Sequence, residues 1–269
     1  MTAVTTDGEP LPGGMANAGA VRRRGDVVVR PAPPGARALH AHLHALRRAG
    51  FDGVPAPVRL TDEGQEELSF VPGDVALPPF PDWALTDTAL ESVGRLLRRL
   101  HDASATVPVD TSADWSRELS DPEGGPLLCH NDVCPENVVF TDGRAVALID
   151  FDMAAPGRPI WDLAMTARYW VPMLDPDSAT AAYPRQPEPF ARLRLLADAY
   201  RLSWPERAAL PLVIEQATDV CRAFVAARVG RGDPGYLAAL ARNGGWERWD
   251  RLRAWLAGNR ERFAAALTE

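Results

Sequence analysis

The sequence predicts an α+β protein of two unequal lobes, a small N-terminal lobe with an antiparallel sheet and a large, mainly helical C-terminal lobe. Three observations carry this expectation. Short β-like runs crowd the chain before residue 72, a proline-dense break follows at Pro78 to Pro81, and from about residue 185 the apolar spacing is helical to the end. The lobes are accordingly set at residues 1–72 and 73–269.

Residues 1 to 20 are rich in Gly, Thr, Ala and Pro, and Val21 to Arg30 then reads as two short strands around a polar turn at Gly25-Asp26. Gly13, Gly14 and Gly19 would let this first hairpin approach a phosphate closely, although glycines near a terminus are equally at home in a flexible tail. Leu39, Leu43 and Leu46 recur at helical spacing and predict a helix over 36–49. Val58 to Leu60 and Glu67 to Val71 read as strands. Beyond the break, Thr88 with Glu91 three residues later suggests a capping box ahead of Leu90, Val93, Leu97 and Leu100, and Ser203 with Glu206 suggests another.

A chain of 269 residues, 46% hydrophobic and 24% charged, has the makeup of a globular protein with a sizeable core. The N-terminus lacks the pattern of a secretory signal, no stretch reaches membrane-spanning length, and a cytoplasmic location with no membrane partner is expected. A formal charge of −7 argues against a nucleic-acid partner and favours small ligands. Cys129, Cys134 and Cys221 show no metal-ligand spacing and read as reduced thiols, with Cys134 a small filler residue. The chain contains no lysine, so all 29 of its Lys and Arg residues are arginine.

Chemistry concentrates between Leu127 and Asp152. Asp142-Gly143 between apolar runs is a strong two-residue hairpin signal. Counting outward from Thr141 opposite Arg144 sets Asn137 against Leu148, with Asp150 two residues along the same face. Such diagonal neighbours lie roughly 7 to 8 Å apart, close enough for an amide oxygen and a carboxylate to share a cation. Magnesium, a hard ion, takes one or two carboxylates and completes its shell with water and phosphates. Asp132, in the loop ahead of the hairpin, is suited to orient an acceptor hydroxyl and take its proton.

His130 to Asn137, HNDVCPEN, resembles the H-x-D-x-x-x-x-N catalytic loop of aminoglycoside phosphotransferases and related small-molecule kinases, and Ile149 to Asp152, IDFD, resembles their metal-binding strand end. The resemblance spans about residues 12–170. It implies a protein-kinase-like fold that uses ATP and Mg2+ to phosphorylate a hydroxyl of a small-molecule acceptor. Asp132 is then the catalytic base, Asn137 and Asp150 the metal ligands, His130 the residue that holds the loop, and Asp162 its brace. Leu68 to Gly73 looks like the hinge that holds adenine, which assigns Phe70 and Val71 to the nucleotide, and Leu100 to Ala103 looks like the end of the first large helix.

Kinases of this design carry a strand lysine positioned by a helix acid. Arg30 stands in the lysine's place, and no acid occurs between Asp26 and Asp52, so the ion pair is expected to be missing, with His40 substituting as the hydrogen-bond partner of Arg30. The alternative is a nucleotide-binding pseudokinase or scaffold. His40 and His44 share a helical face but lack a third metal ligand, and Trp246, Trp249 and Trp255 read as packing rather than a stacking surface. The acceptor would lie on the helical lobe, where Glu215 and Asp219 could meet a cationic group; an amino alcohol, a sugar or a macrolide are further candidates.

Overall fold

The computed structural model describes residues 8–11, 19–182 and 188–269. The N-terminal part carries a five-stranded antiparallel sheet in the order β1-β2-β3-β5-β4. Its strands are β1 (Glu9–Pro10), β2 (Arg22–Arg24), β3 (Val27–Pro31), β4 (Pro57–Leu60) and β5 (Gln65–Ser69). Gly25-Asp26 is the turn between β2 and β3, with Gly25 at φ 61, a left-handed conformation glycine adopts without steric cost. Helix α1 (Ala36–Arg48) follows β3 and buries Leu39, Leu43 and Leu46 as their spacing requires. Burial along β5 alternates, so Glu66 and Leu68 face inward while Glu67 faces out to Arg59.

The chain leaves the sheet through 70–86 and enters α2 (Asp87–Ser104). The cap of α2 is Thr86, whose hydroxyl accepts from Ala89 N, and not Thr88, which lies inside the first turn; Glu91 pairs with Arg95 instead. Two small antiparallel pairs follow: β6 (Leu127–Cys129) with β9 (Ala155–Gly157), and the hairpin β7 (Val138–Thr141) with β8 (Arg144–Leu148). The rest is α3 (Pro159–Trp170), α4 (Pro176–Ala182), α5 (Pro189–Tyr200), α6 (Trp204–Gly230), α7 (Pro234–Arg242) and α8 (Gly245–Thr268). The Ser203–Glu206 capping box opens α6 as its sequence signature requires.

A single apolar core runs through the helical half, where Leu90, Leu97, Trp161, Leu163, Leu196 and Ile214 are fully buried. Each side chain of this size contributes about 1.5 to 3 kcal/mol on burial. Among the described residues, no helix is long and apolar enough to cross a membrane.

Among the described residues, several contacts tie the N-terminal part to the helical part. Leu148 N donates to Gly53 O (2.9 Å), Asp74 and Phe140 exchange backbone hydrogen bonds (2.9 and 2.8 Å), and Arg30 reaches Asp150 and Asp152. Gly73, at φ 144, makes the second possible, because a Cβ there would lie 2.5 Å from Phe140 O.

Candidate active site

The hairpin forms around Asp142 (φ 50) and Gly143 (φ 71), but its register differs from the count made on sequence. Val138, not Asn137, opposes Leu148, because a β-bulge at Val146 inserts one residue into β8. A one-residue slip would turn Asn137 to the other face if it were still in the strand. Asn137 instead closes a 3₁₀ turn (Pro135–Asn137), and its Nδ2 donates to Asp132 O (2.9 Å) and Asp132 Oδ2 (3.2 Å). Asp150 also leaves strand geometry, at φ 63. Two local turns, rather than strand alternation, bring these groups to one place.

The loop that carries Asp132 is held from below by Asp162. Its carboxylate, fully buried, accepts from His130 N (2.7 Å), Asn131 N (2.8 Å) and His101 Nε2 (3.1 Å). Burial opposes its ionisation, yet the hydrogen bond from His101 and the adjoining His101 and His130 hold its pKa below the usual aspartate value. The strained Asn131, at φ 65, costs on the order of 1 to 3 kcal/mol, and Asp162 offsets it by taking its N–H. His130 accepts from Asp132 N at Nδ1 (3.3 Å) and donates from Nε2 to Ile149 O (2.9 Å), so it ties the loop to the end of β8. The brace and loop-holding contacts implied for Asp162 and His130 are thus both formed.

Asp132 itself is partly exposed. Burial raises its pKa; His130 and a hydrogen bond from Tyr169 oppose this, while the charge of Asp150 adds to it. Tyr169 Oη donates to Asp132 Oδ1 (3.0 Å), a contact that sequence reasoning missed, since a tyrosine on α3 carried no motif. Cys134, beside the same group, has its thiol pKa pushed well up by burial and stays a neutral filler.

The expectation that Arg30 lacks an acidic partner is overturned. Register sets Arg30 on β3 directly across from Glu66 on β5, and Arg30 Nε donates to Glu66 Oε1 (2.6 Å). The guanidinium extends to Asp150 Oδ1 (2.6 Å) through one terminal nitrogen and to Asp152 Oδ1 (2.7 Å) through the other. His40 does not bond Arg30; its Nε2 meets Glu66 Oε2 (2.7 Å). The missing helix acid is therefore replaced by a strand acid, with His40 on α1 positioning it. Burial opposes the charge on Arg30, and Asp150, Asp152 and Glu66 more than restore it. Asp152 is pushed up to about 6 by burial and by repulsion from Asp150. A lysine, with a single nitrogen, could not span three carboxylates in this way.

On the hinge, Phe70 N donates to Asp26 O (2.8 Å) and the ring lies under the Arg23 guanidinium at 3.6 Å. Val71 is half-buried, and among the described residues its N–H and C=O have no partner. Gly14 and Gly13 lie outside the described residues, and Gly19 sits in a turn at φ 79 with open space around it.

Other expectations divide. His44 is exposed and His40 is consumed by Glu66, which leaves no metal pair on α1. Folding does gather His101, Cys129 and Asp162, but hydrogen bonds to Tyr200, Arg158 O and the loop N–H groups occupy them. Glu215 and Asp219 are not free to meet a cationic acceptor: Glu215 forms a two-pronged pair with Arg260, and Asp219 pairs with Arg253, both from α8. Trp255 packs on Phe263, whereas Trp249 lines a cleft of about 220 Å³ together with Tyr169, Arg168 and Arg248.

The oxygen donors at the loop suit a hard divalent ion. Asn137 commits its Nδ2 to Asp132 and so presents Oδ1, and Asp150 keeps Oδ2 beyond the oxygen held by Arg30.

The fold is shared with solved kinases. A choline/ethanolamine kinase family protein from Mesorhizobium loti matches with a TM-score of 0.62 at 16% identity, over 99% of this chain and 94% of that one. The gentamicin complex of APH(2″)-IIa gives 0.54 at 14%, over 88% and 90%. The GDP complex of aminoglycoside 2′-phosphotransferase-IIIa gives 0.54 at 16%, over 93% and 92%. Among curated proteins, the trifolitoxin immunity protein of Rhizobium leguminosarum bv. trifolii is 34% identical over 194 residues, 70% of this chain and 72% of that protein. The phosphotransferase enzyme family model matches residues 7–125 and 110–197, the sheet and the catalytic loop alike, and the chain belongs to that family.

Proposed function

We propose that the protein is an ATP-dependent kinase that moves the γ-phosphate to a hydroxyl of a small molecule, with Asp132 as the base and Asn137 and Asp150 as ligands of Mg2+. The observation that carries this reading is the contact of Asn137 with Asp132 in a loop braced by Asp162, with Asp150 close enough to perturb Asp132. Bound magnesium would supply charge neutralisation at the phosphates. Asp132, held by Tyr169 and Asn137, has lone pairs left for an acceptor hydroxyl and takes its proton as the new O–P bond forms and the bond from the γ-phosphorus to the bridging oxygen breaks, with ADP as the leaving group. Adenine is assigned to the hinge, where the N–H and C=O of Val71, without a partner among the described residues, can read its edge and Phe70 supplies an apolar surface. Arg30 is almost fully buried and bonded to three carboxylates, which supports a positioning role toward Asp150 and Asp152 before any direct phosphate contact.

Thermal unfolding with ATP, with and without Mg2+, tests the reading. Saturating ATP with Mg2+ at about 100 times Kd is expected to stabilise the fold by about 2.7 kcal/mol, and Asp150→Ala is expected to abolish the magnesium-dependent part. No response to any nucleotide would sink it. That outcome favours the second reading, a scaffold without transfer, which draws support from a curated relative named as an immunity protein.

A further inference from the structure

The ion pairs around Arg30 bear on how many metal ions the nucleotide site takes. Protein kinases hold two magnesium ions with the aspartate at the strand end and the asparagine of the catalytic loop. Asp150 and Asn137 stand in those places, but Asp150 already gives one oxygen away. Its Oδ1 accepts from one terminal nitrogen of Arg30 (2.6 Å), and Asp152 Oδ1 accepts from the other (2.7 Å). The cation is also anchored from behind. Its Nε donates to Oε1 of the fully buried Glu66 (2.6 Å), and Glu66 Oε2 is held in turn by His40 Nε2 (2.7 Å). Arg30 itself is 5% exposed, so all three nitrogens of its guanidinium are committed to carboxylates away from bulk water.

A second divalent ion on the Asp152 side of Asp150 would set a double positive charge against a buried guanidinium and break two charge-assisted hydrogen bonds, and a buried charge stripped of its partners is strongly destabilising. Asn137 Oδ1 and Asp150 Oδ2 remain as donors for one ion. We propose that Arg30 replaces the second metal ion: the site takes a single divalent cation with its nucleotide, and the guanidinium supplies a permanent charge where kinases with a strand lysine bind another. The planar fork is what makes the substitution work, since it meets Asp150 and Asp152 at once while its third nitrogen stays on Glu66; a lysine has one nitrogen for all three. This rests on the kinase reading above and assigns Arg30 a positioning role in it.

The test counts ions and needs no acceptor. The full-length protein is dialysed to equilibrium against AMP-PNP, a non-hydrolysable ATP analogue, with excess Mn2+ in place of Mg2+, and bound Mn2+ and bound nucleotide are measured per chain. Ions scattered over the acidic surface are subtracted with Asp150→Ala under the same conditions. One Mn2+ per bound nucleotide is expected for the wild type. Arg30→Lys is expected to bind two, and the neighbouring ions to broaden each other's electron paramagnetic resonance spectrum, which a change in folding alone does not produce. Two ions in the wild type, or one in an Arg30→Lys variant with the wild-type circular dichroism spectrum, overturns the proposal. If Arg30→Lys does not fold, Arg30→Met carries the same expectation, and if neither folds the wild-type count decides. Absence of any Mn2+-dependent nucleotide binding defeats the kinase reading and this inference with it, whereas a count of two in the wild type defeats this inference alone.

Discussion

Arg30 shows how one side chain can rewrite a familiar arrangement. Its three contacts leave a site with one guanidinium among Glu66, Asp150 and Asp152, and the last is already pushed up to about 6 by its neighbours. Replacing the cation by an apolar residue leaves the carboxylates repelling one another. Arg30→Met is therefore expected to lose stability and then to regain part of it, by about 3 °C or more in Tm, when millimolar Mg2+ is added without nucleotide, whereas the wild type responds less; calorimetric scans with and without Mg2+ read this directly. Glu66 was not legible in the sequence, because no motif marks it and its partner sits 36 residues away across a strand pairing that only folding specifies. Asp132 and Asn137 could be singled out because they share the short motif HNDVCPEN, and Asp150 because it lies in the separate run IDFD. His42 illustrates the other kind of buried polar residue. It is 4% exposed on α1, and burial lowers its pKa below the ordinary histidine value. A histidine with a lowered folded-state pKa leaves stability intact above about pH 6.5 and loses it as pH falls, since the unfolded chain binds the proton more readily. His42→Leu should flatten the fall in stability between about pH 6.5 and 5, as followed by urea unfolding across that range.

At the level of elements, helix periodicity was read correctly where a single face is buried, as in α1, and the cap of α2 was misplaced by two residues because Thr86 and Thr88 both offer a hydroxyl and only backbone geometry chooses. The hairpin was found from Asp142-Gly143, but its bulge left no signature, and the register shifted with it. Asn137 and Asp150 are aimed by turns, not by strand alternation, so the register of the hairpin does not decide where they point. Two element junctions then become testable. Gly73 packs against the β7–β8 hairpin with no room for a Cβ and with φ 144, so Gly73→Ala should cost more than about 2 kcal/mol in denaturant unfolding; a neutral result would mean that the hinge does not approach Phe140 this closely. Asp162 joins α3 to the catalytic loop through two backbone N–H groups and His101. Asp162→Asn removes the charge and turns a donor toward a buried donor, and a loss of about 3 to 5 kcal/mol is expected, measured by chemical denaturation against the wild type.

Across the whole molecule, charge is arranged by long-range pairing that a linear reading cannot follow. With no lysine, every cation is a guanidinium, and those of α8 neutralise acids on α6: Arg260 meets Glu215 from 45 residues away, and Arg253 meets Asp219. Two acids at helical spacing therefore looked like a cationic subsite in sequence and became ordinary packing contacts between helices in the fold. Glu215 is then a bystander. Its partner Arg260 is about half exposed, and exposed ion pairs contribute between about 0 and 1 kcal/mol. Glu215→Gln should change stability by less than about 1 kcal/mol and leave the acceptor KM within twofold of the wild type in an ATP-turnover assay, whatever the acceptor proves to be. A tenfold rise in KM, with kcat held, would instead mean that the pair with Arg260 opens to admit a cation, and that the helical lobe recognises its acceptor through acids after all.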